Sequence, residues 1–217
     1  MKNTVIFDLD GTLLDTLEDL RDATNYALKK HSFPERSLDE IRRFVGNGVR
    51  VLVKRALPEN TSDEVYEAAY ADFKAYYKKN MQKHTRPYNG VSEMLKNLKA
   101  AGLKIAIVTN KADFAAIPLC REIFPEVETV IGTNEHIASK PDPCGVYKAL
   151  EILSSEKDEA YYVGDSEIDV LTARNAGVDL ISVIWGFRTK DELEEYGIKR
   201  FASTPKELEK MVLSTDL

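Results

Sequence analysis

Two aspartates two residues apart, Asp8 and Asp10, end an apolar run that starts at Val5, and Gly11 and Thr12 follow them. On a regular strand, residues i and i+2 face the same way, so both carboxylates would project to one side. Two like charges there are unfavourable unless a cation lies between them or they share a proton. Gly11 lets the backbone leave the strand and leaves space for a close approach. Polar residues close later apolar runs in the same manner. They are Thr109-Asn110 after Leu103–Val108, Lys140 beyond the run 128–132, and Asp165, with Asp169 shortly after, behind Tyr161–Gly164. Singly, these read as turn formers, helix caps and solvated charges. If the runs are parallel strands of one sheet, their carboxyl ends meet along one edge, where such sheets bind ligands. Three or four carboxylates, an ammonium and a hydroxyl would then converge, which a purely structural role does not explain.

The elements that would position them follow from periodicity. Val5-Ile6-Phe7 and Leu103–Thr109 are continuous apolar runs of strand length, as expected for strands buried on both faces of a parallel sheet. From Pro87 onward strand and helix alternate. Helices are expected over Gly90–Ala100, from Ala112 with a kink or restart at Pro118, over Pro143–Leu153 and Ile168–Ala176, and from Pro205. Residues 16–86 carry only helical spacing. Thr16 and Asp19 would cap a first helix, and Ser37 through Glu40 has the capping-box form for a second. Val49–Leu57 gives a third, closed by Pro58, and Thr61 with Glu64 would cap a fourth. The expected fold is therefore α/β: a doubly wound parallel, Rossmann-like sheet from residues 1–15 and 87–217, with an inserted all-α helical domain over 16–86. Thr16 and Thr85-Arg86-Pro87 would be the hinges.

The 217 residues leave room for one good-sized domain and a small insertion, and the net charge of −6 argues against nucleic acid or a membrane surface as partner. No apolar stretch approaches membrane-spanning length, and the chain reads as cytoplasmic. Cys120 and Cys144 lack metal-type spacing and read as incidental thiols.

The string from Asp8 to Asp15 resembles the first motif, DxDGTLxD, of the haloacid dehalogenase-like phosphohydrolases, matching at Asp8, Asp10, Gly11, Thr12, Leu13 and Asp15. Thr109-Asn110 is similar to that family's second motif, Lys140-Pro141 to its third, and Gly164-Asp165-Ser166-Glu167-Ile168-Asp169 to the GDxxxD form of its fourth. The resemblance covers essentially the whole chain. It implies a phosphatase in which Asp8 is the nucleophile and Asp10 the general acid and base. It further implies Mg²⁺ held by the carboxylates of Asp8 and Asp165 and the backbone carbonyl of Asp10. Lys140 would offset the charge of Asp8 and the phosphoryl oxygens. Thr109, Asn110 and the backbone amides after Asp8, Gly11 among them, would hydrogen-bond those oxygens, and Asp169 would orient Lys140 or a metal-bound water. The helical insertion resembles the family's cap, which excludes water and selects the leaving group.

Among members, the likeness is to phosphoglycolate phosphatase-like enzymes. It rests on the glycine motif Gly46-Asn47-Gly48, the GDSxxD form, and Gly186-Phe187-Arg188. Gly46, Asn47 and Gly48 would contact the substrate, with Arg42, Arg43 and Arg50 nearby for a carboxylate. The expected partner is a small phosphorylated acid or sugar, 2-phosphoglycolate first, and the chain would be a monomer or homodimer. Asp10 argues against dehalogenases and phosphonatases, and Asp169 against sugar phosphomutases. Pyrophosphatases, nucleotidases and sugar-phosphate phosphatases share the motifs. A non-catalytic binding module would normally have lost Asp8.

Overall fold

A computed structural model of the chain describes residues 2–214, so Met1 and the last three positions of the expected 87–217 core segment lie outside the described residues. In chain order the elements are β1 (Thr4–Phe7), β2 (Leu14–Asp15), α1 (Leu17–Lys30), α2 (Leu38–Phe44), α3 (Val49–Ala56) and α4 (Asp63–Asn80). Then come β3 (Arg86–Pro87), α5 (Val91–Ala100), β4 (Lys104–Ala112), α6 (Asp113–Ile123), β5 (Thr129–Thr133) and α7 (Cys144–Leu153). The chain closes with β6 (Ala160–Gly164), α8 (Glu167–Ala176), β7 (Asp179–Val183), α9 (Lys190–Glu194), β8 (Phe201–Ala202) and α10 (Pro205–Leu213). It divides into two compact units, residues 1–14 with 87–217, and residues 15–86.

The first unit is a six-stranded sheet in the order β5-β4-β1-β6-β7-β8, parallel throughout. The chain builds outward from β1 to β4 and β5, then returns to the other side for β6, β7 and β8. This reversal is the doubly wound, Rossmann-like order, and it leaves a crevice beyond the carboxyl ends of β1 and β6. Period-2 alternation sorts the strands' side chains into two layers. Val5, Phe7, Ile105, Ile107, Val163 and Ile181 pack beneath α5, α6 and α10. Ile6, Ala106, Val108 and Tyr162 pack beneath α7 and α8 on the opposite face. Each fully buried Val, Leu, Ile or Phe contributes about 1.5–3 kcal/mol. β1, with all four residues buried, is the best-anchored place from which to extend a reactive side chain.

Boundaries differ from expectation where tertiary contacts override local pattern. β4 continues through Asn110 and Lys111 to Ala112, and Pro118 lies inside an unbroken α6. The short α9 was not foreseen.

In the second unit, α1, α2, α3 and α4 bury Leu20, Ala27, Leu28, Ile41, Leu52, Val53, Phe73 and Tyr77. The Ser37–Glu40 capping box is present. The fourth helix is capped by Ser62, which accepts the Val65 N–H, while the Thr61 hydroxyl donates to the Pro58 carbonyl. Thr16 sits at the α1 N-cap without a side-chain cap bond. Asp19 does not cap α1 either. Its carboxylate, 3% exposed, accepts the backbone N–H groups of His84 and Thr85 at 2.8–3.1 Å and the Thr85 hydroxyl at 2.8 Å. No helix among the described residues is long and apolar enough to cross a membrane.

Candidate active site

At the end of β1 the Asp8 N–H donates to the Val163 carbonyl of β6 at 2.8 Å, which keeps the backbone on the sheet as the carboxylate enters the crevice. That carboxylate meets Lys140 Nζ at 2.7 Å. The same ammonium donates to Asp169 Oδ1 at 2.7 Å and to the Tyr162 hydroxyl at 3.1 Å. An ammonium has three N–H donors, so these partners engage all of them. Lys140 therefore acts on its surroundings as a fixed buried charge. Asp169 is in turn held by the Ser166 N–H at 3.1 Å and the Ser166 hydroxyl at 2.7 Å, at the start of α8.

Asp165, after β6, accepts the Thr12 hydroxyl at 2.8 Å and the Phe187 N–H at 2.8 Å. It makes no ion pair among the described residues. Carboxylate oxygens of Asp8, Asp165 and Asp169 lie within 4.8 Å of one another. Burial, then the charge of Asp169, pushes Asp8 well above the usual carboxylate range against the pull of Lys140. The same two causes, burial first, push Asp165 up to about 7. Burial alone would lower Lys140, but the charges of Asp169 and Asp8 outweigh it and raise that group. Three buried carboxylates thus face one buried ammonium, an imbalance a divalent cation would remove. The donors are all oxygen, which suits a hard cation such as Mg²⁺ better than zinc. The residues present fit the ion.

Packing explains the glycines. Gly11 has φ +93°, and a Cβ there would lie 2.4 Å from Asp165 Oδ2. A Cβ on Gly164 would lie 2.3 Å from both Cβ and Cγ of Asp169. Any side chain at either position would push a site carboxylate aside.

Among the expected site residues, Asp8, Lys140, Asp165 and Asp169 are brought together. Asp10 points its carboxylate at Lys111 Nζ, at 2.9 and 3.2 Å. Thr109 is buried, and its hydroxyl accepts the Lys111 N–H at 3.2 Å. The side chain of Asn110 is turned to the backbone of Lys140. Its Oδ1 accepts the Lys140 N–H at 2.7 Å and its Nδ2 donates to the Lys140 carbonyl at 3.2 Å, so it splints the backbone carrying the ammonium. Gly46, Asn47 and Gly48 belong to the helical unit, where they join α2 to α3 with φ of 118° at Gly46 and 82° at Gly48. The neighbouring arginines have local acidic partners. Arg42 and Arg43 pair with Asp39, and Arg50 pairs with Glu67 and stacks on Tyr70.

Sequence reasoning passed over Lys111, Tyr162 and the Arg188–Glu167 pair at 2.8 Å. Lys111 lies two residues beyond Thr109, so a longer reading of the strand would have placed the two on one side. Tyr162 reads as ordinary core until its hydroxyl is located.

Comparison with known proteins agrees with this arrangement. Residues 5–183 match the family model for haloacid dehalogenase-like hydrolases. Phosphoglycolate phosphatase 1 of Pseudomonas aeruginosa is 36% identical over 190 residues, covering 84% of this chain and 70% of that protein. The phosphoglycolate phosphatase of Caulobacter vibrioides is 36% identical over 212 residues, covering 94% and 89%. A crystal structure from Lactobacillus delbrueckii subsp. bulgaricus superposes with a TM-score of 0.93 at 33% identity, covering 98% of this chain and 99% of that one. With the doubly wound sheet and the buried aspartates at its switch point, the match over most of its length makes this chain a member of the haloacid dehalogenase-like hydrolases.

Proposed function

We propose that the protein is a cytoplasmic, magnesium-dependent phosphatase that hydrolyses a small phosphate monoester through an aspartyl phosphate on Asp8, with 2-phosphoglycolate as its preferred substrate. The observation that carries this reading is the buried Asp8–Lys140–Asp169 chain beside Asp165. It presents one carboxylate at the crevice mouth and surrounds it with fixed charge and donors. The carboxylates of Asp8 and Asp165 and the backbone carbonyl of Asp10 would hold Mg²⁺, which when bound supplies positive charge against the phosphoryl oxygens.

The chain's own groups do the rest. A carboxylate oxygen of Asp8 attacks phosphorus in line, and the bond to the leaving oxygen breaks. Asp10 gives that oxygen its proton and later takes one from the water that hydrolyses the aspartyl phosphate. Lys140 lowers the repulsion between Asp8 and the phosphoryl group without leaving its partners. Asp169 holds Lys140, and Asn110 fixes its backbone. The Thr109 hydroxyl and the amides of Leu9 and Asp10, directly after Asp8, donate to the phosphoryl oxygens, whereas the expected Gly11 N–H is bonded to the Leu14 carbonyl within its own turn. The helical unit would serve as the cap that the resemblance implies, and Gly46, Asn47 and Gly48 would be its contacts to the substrate. The named relatives support phosphoglycolate as the first choice.

The test is phosphate release with Mg²⁺ from 2-phosphoglycolate, sugar phosphates, nucleotides and pyrophosphate, beside Asp8→Asn. A preference of about 100-fold in kcat/KM for phosphoglycolate corresponds to about 2.7 kcal/mol of transition-state discrimination and settles the substrate. Asp8→Asn should lower turnover by about 10³-fold or more. Undiminished turnover in that variant would overturn the mechanism.

A further inference from the structure

The geometry points to Lys111 as the positioning residue for Asp10, the group that aims the acid at the leaving oxygen. This inference rests on the phosphatase reading above. The Lys111 side chain is 4% exposed and that of Asp10 22%, and Nζ stands 2.9 Å from Oδ1 and 3.2 Å from Oδ2. One ammonium therefore spans both carboxylate oxygens and sets the plane of the carboxyl. Asp10 needs such a partner. It lies beyond β1, in a turn tied by Gly11 N–H to the Leu14 carbonyl at 2.8 Å, and that bond leaves its side-chain rotamer unset.

Lys111 is itself firmly placed. It belongs to β4, and its N–H is bonded to the Thr109 hydroxyl. Its carbonyl would lie 2.5 Å from a Cβ on Gly132 of β5, so that residue's lack of a side chain lets the two strands close there. The strand that supplies Thr109 to the phosphoryl group therefore also aims the acid for the leaving group.

In the first step the Asp8 oxygen–phosphorus bond forms as the phosphorus–leaving-oxygen bond breaks, and the Asp10 proton passes to that oxygen. An alkoxide leaves poorly without the proton, whereas 4-nitrophenolate leaves readily. Loss of aim should therefore depend on the leaving group. We expect Lys111→Met to lower kcat/KM about 100-fold for 2-phosphoglycolate or another alkyl phosphate, and less than about 5-fold for 4-nitrophenyl phosphate. In an Asp10→Asn background the same substitution should cost little more, because Lys111 acts through Asp10. Equal losses on both esters, or full additivity with Asp10→Asn, would overturn the inference in favour of a structural role, and so would an unchanged alkyl rate. If Lys111→Met does not fold, Lys111→Gln carries the same comparison. Failure of the phosphatase reading is distinguishable, because then the parent protein would turn over neither ester or Asp8→Asn would match it.

Discussion

The crevice of the sheet unit and the surface of the helical unit treat charge in opposite ways. In the sheet unit, Asp8, Lys140, Asp165 and Asp169 are buried, and each has at least one hydrogen-bond or ion-pair partner distant in sequence. In the helical unit, Arg43, Arg50, Asp39 and Glu67 lie on the surface and pair within or between neighbouring helices. Removing one member of a buried set leaves an uncompensated charge, which is severe, whereas an exposed pair contributes between nothing and about 1 kcal/mol. The position of the reacting groups is therefore over-determined, while the helical unit can exchange surface residues with little effect on its fold. A fixed reaction with a variable substrate would use such a division.

The strongest challenge to that contrast is Gly164→Ala. One methyl group must displace Asp169, which is fully buried and holds Lys140. We expect about 1–3 kcal/mol of destabilisation in urea unfolding and a fall in kcat of about 100-fold or more. Near-parental kinetics would mean that the site tolerates displacement after all.

Next in size is a pH effect on the metal-free protein. Asp165 at about 7, against an ordinary value of 3.8, means that the folded state holds a proton the unfolded state has lost between those values. Its contribution to stability is complete below the lower value and disappears as pH rises through about 7. Asp8 is shifted in the same direction. In EDTA the melting temperature should therefore fall between pH 5 and pH 8. Magnesium, which favours the carboxylate form, should raise it more at pH 8 than at pH 5. Asp165→Asn should flatten the difference, and a magnesium shift equal at both pH values would contradict it.

The smallest effect is expected at the surface. Arg50→Ala should change stability by less than about 1 kcal/mol. A change in KM for phosphoglycolate without a change in kcat would assign Arg50 to substrate recognition. A large loss of stability would show that the helical unit depends on individual surface charges as well.

The same contrast sets what could be read from the residues alone. The sheet, its apolar strands and the polar residues ending them were legible because a buried parallel strand leaves a local signature: a continuous apolar run, then an abrupt polar stop. The Ser37–Glu40 box was legible because both its bonds close within one helical turn. Asp19 was misread because its partners, His84 and Thr85, lie at the far end of the helical unit's sequence, and no local window contains them. The Asn110 splint and the Tyr162 hydroxyl are hidden for the same reason. Each joins elements whose adjacency exists only after the sheet has formed. Lys111 is a different case, missed because the strand was ended too early.

The Asn110 splint has a consequence for how this site can evolve. Lys140 is reached through a connection from β5 to α7, and exposed Glu135 and His136 lie within it. Because Asn110 grips both the N–H and the carbonyl of Lys140, the backbone that carries the ammonium is anchored to β4 as well as to the connection. The exposed tip at Glu135 and His136 is thereby the part of that connection where added residues would disturb the lysine least.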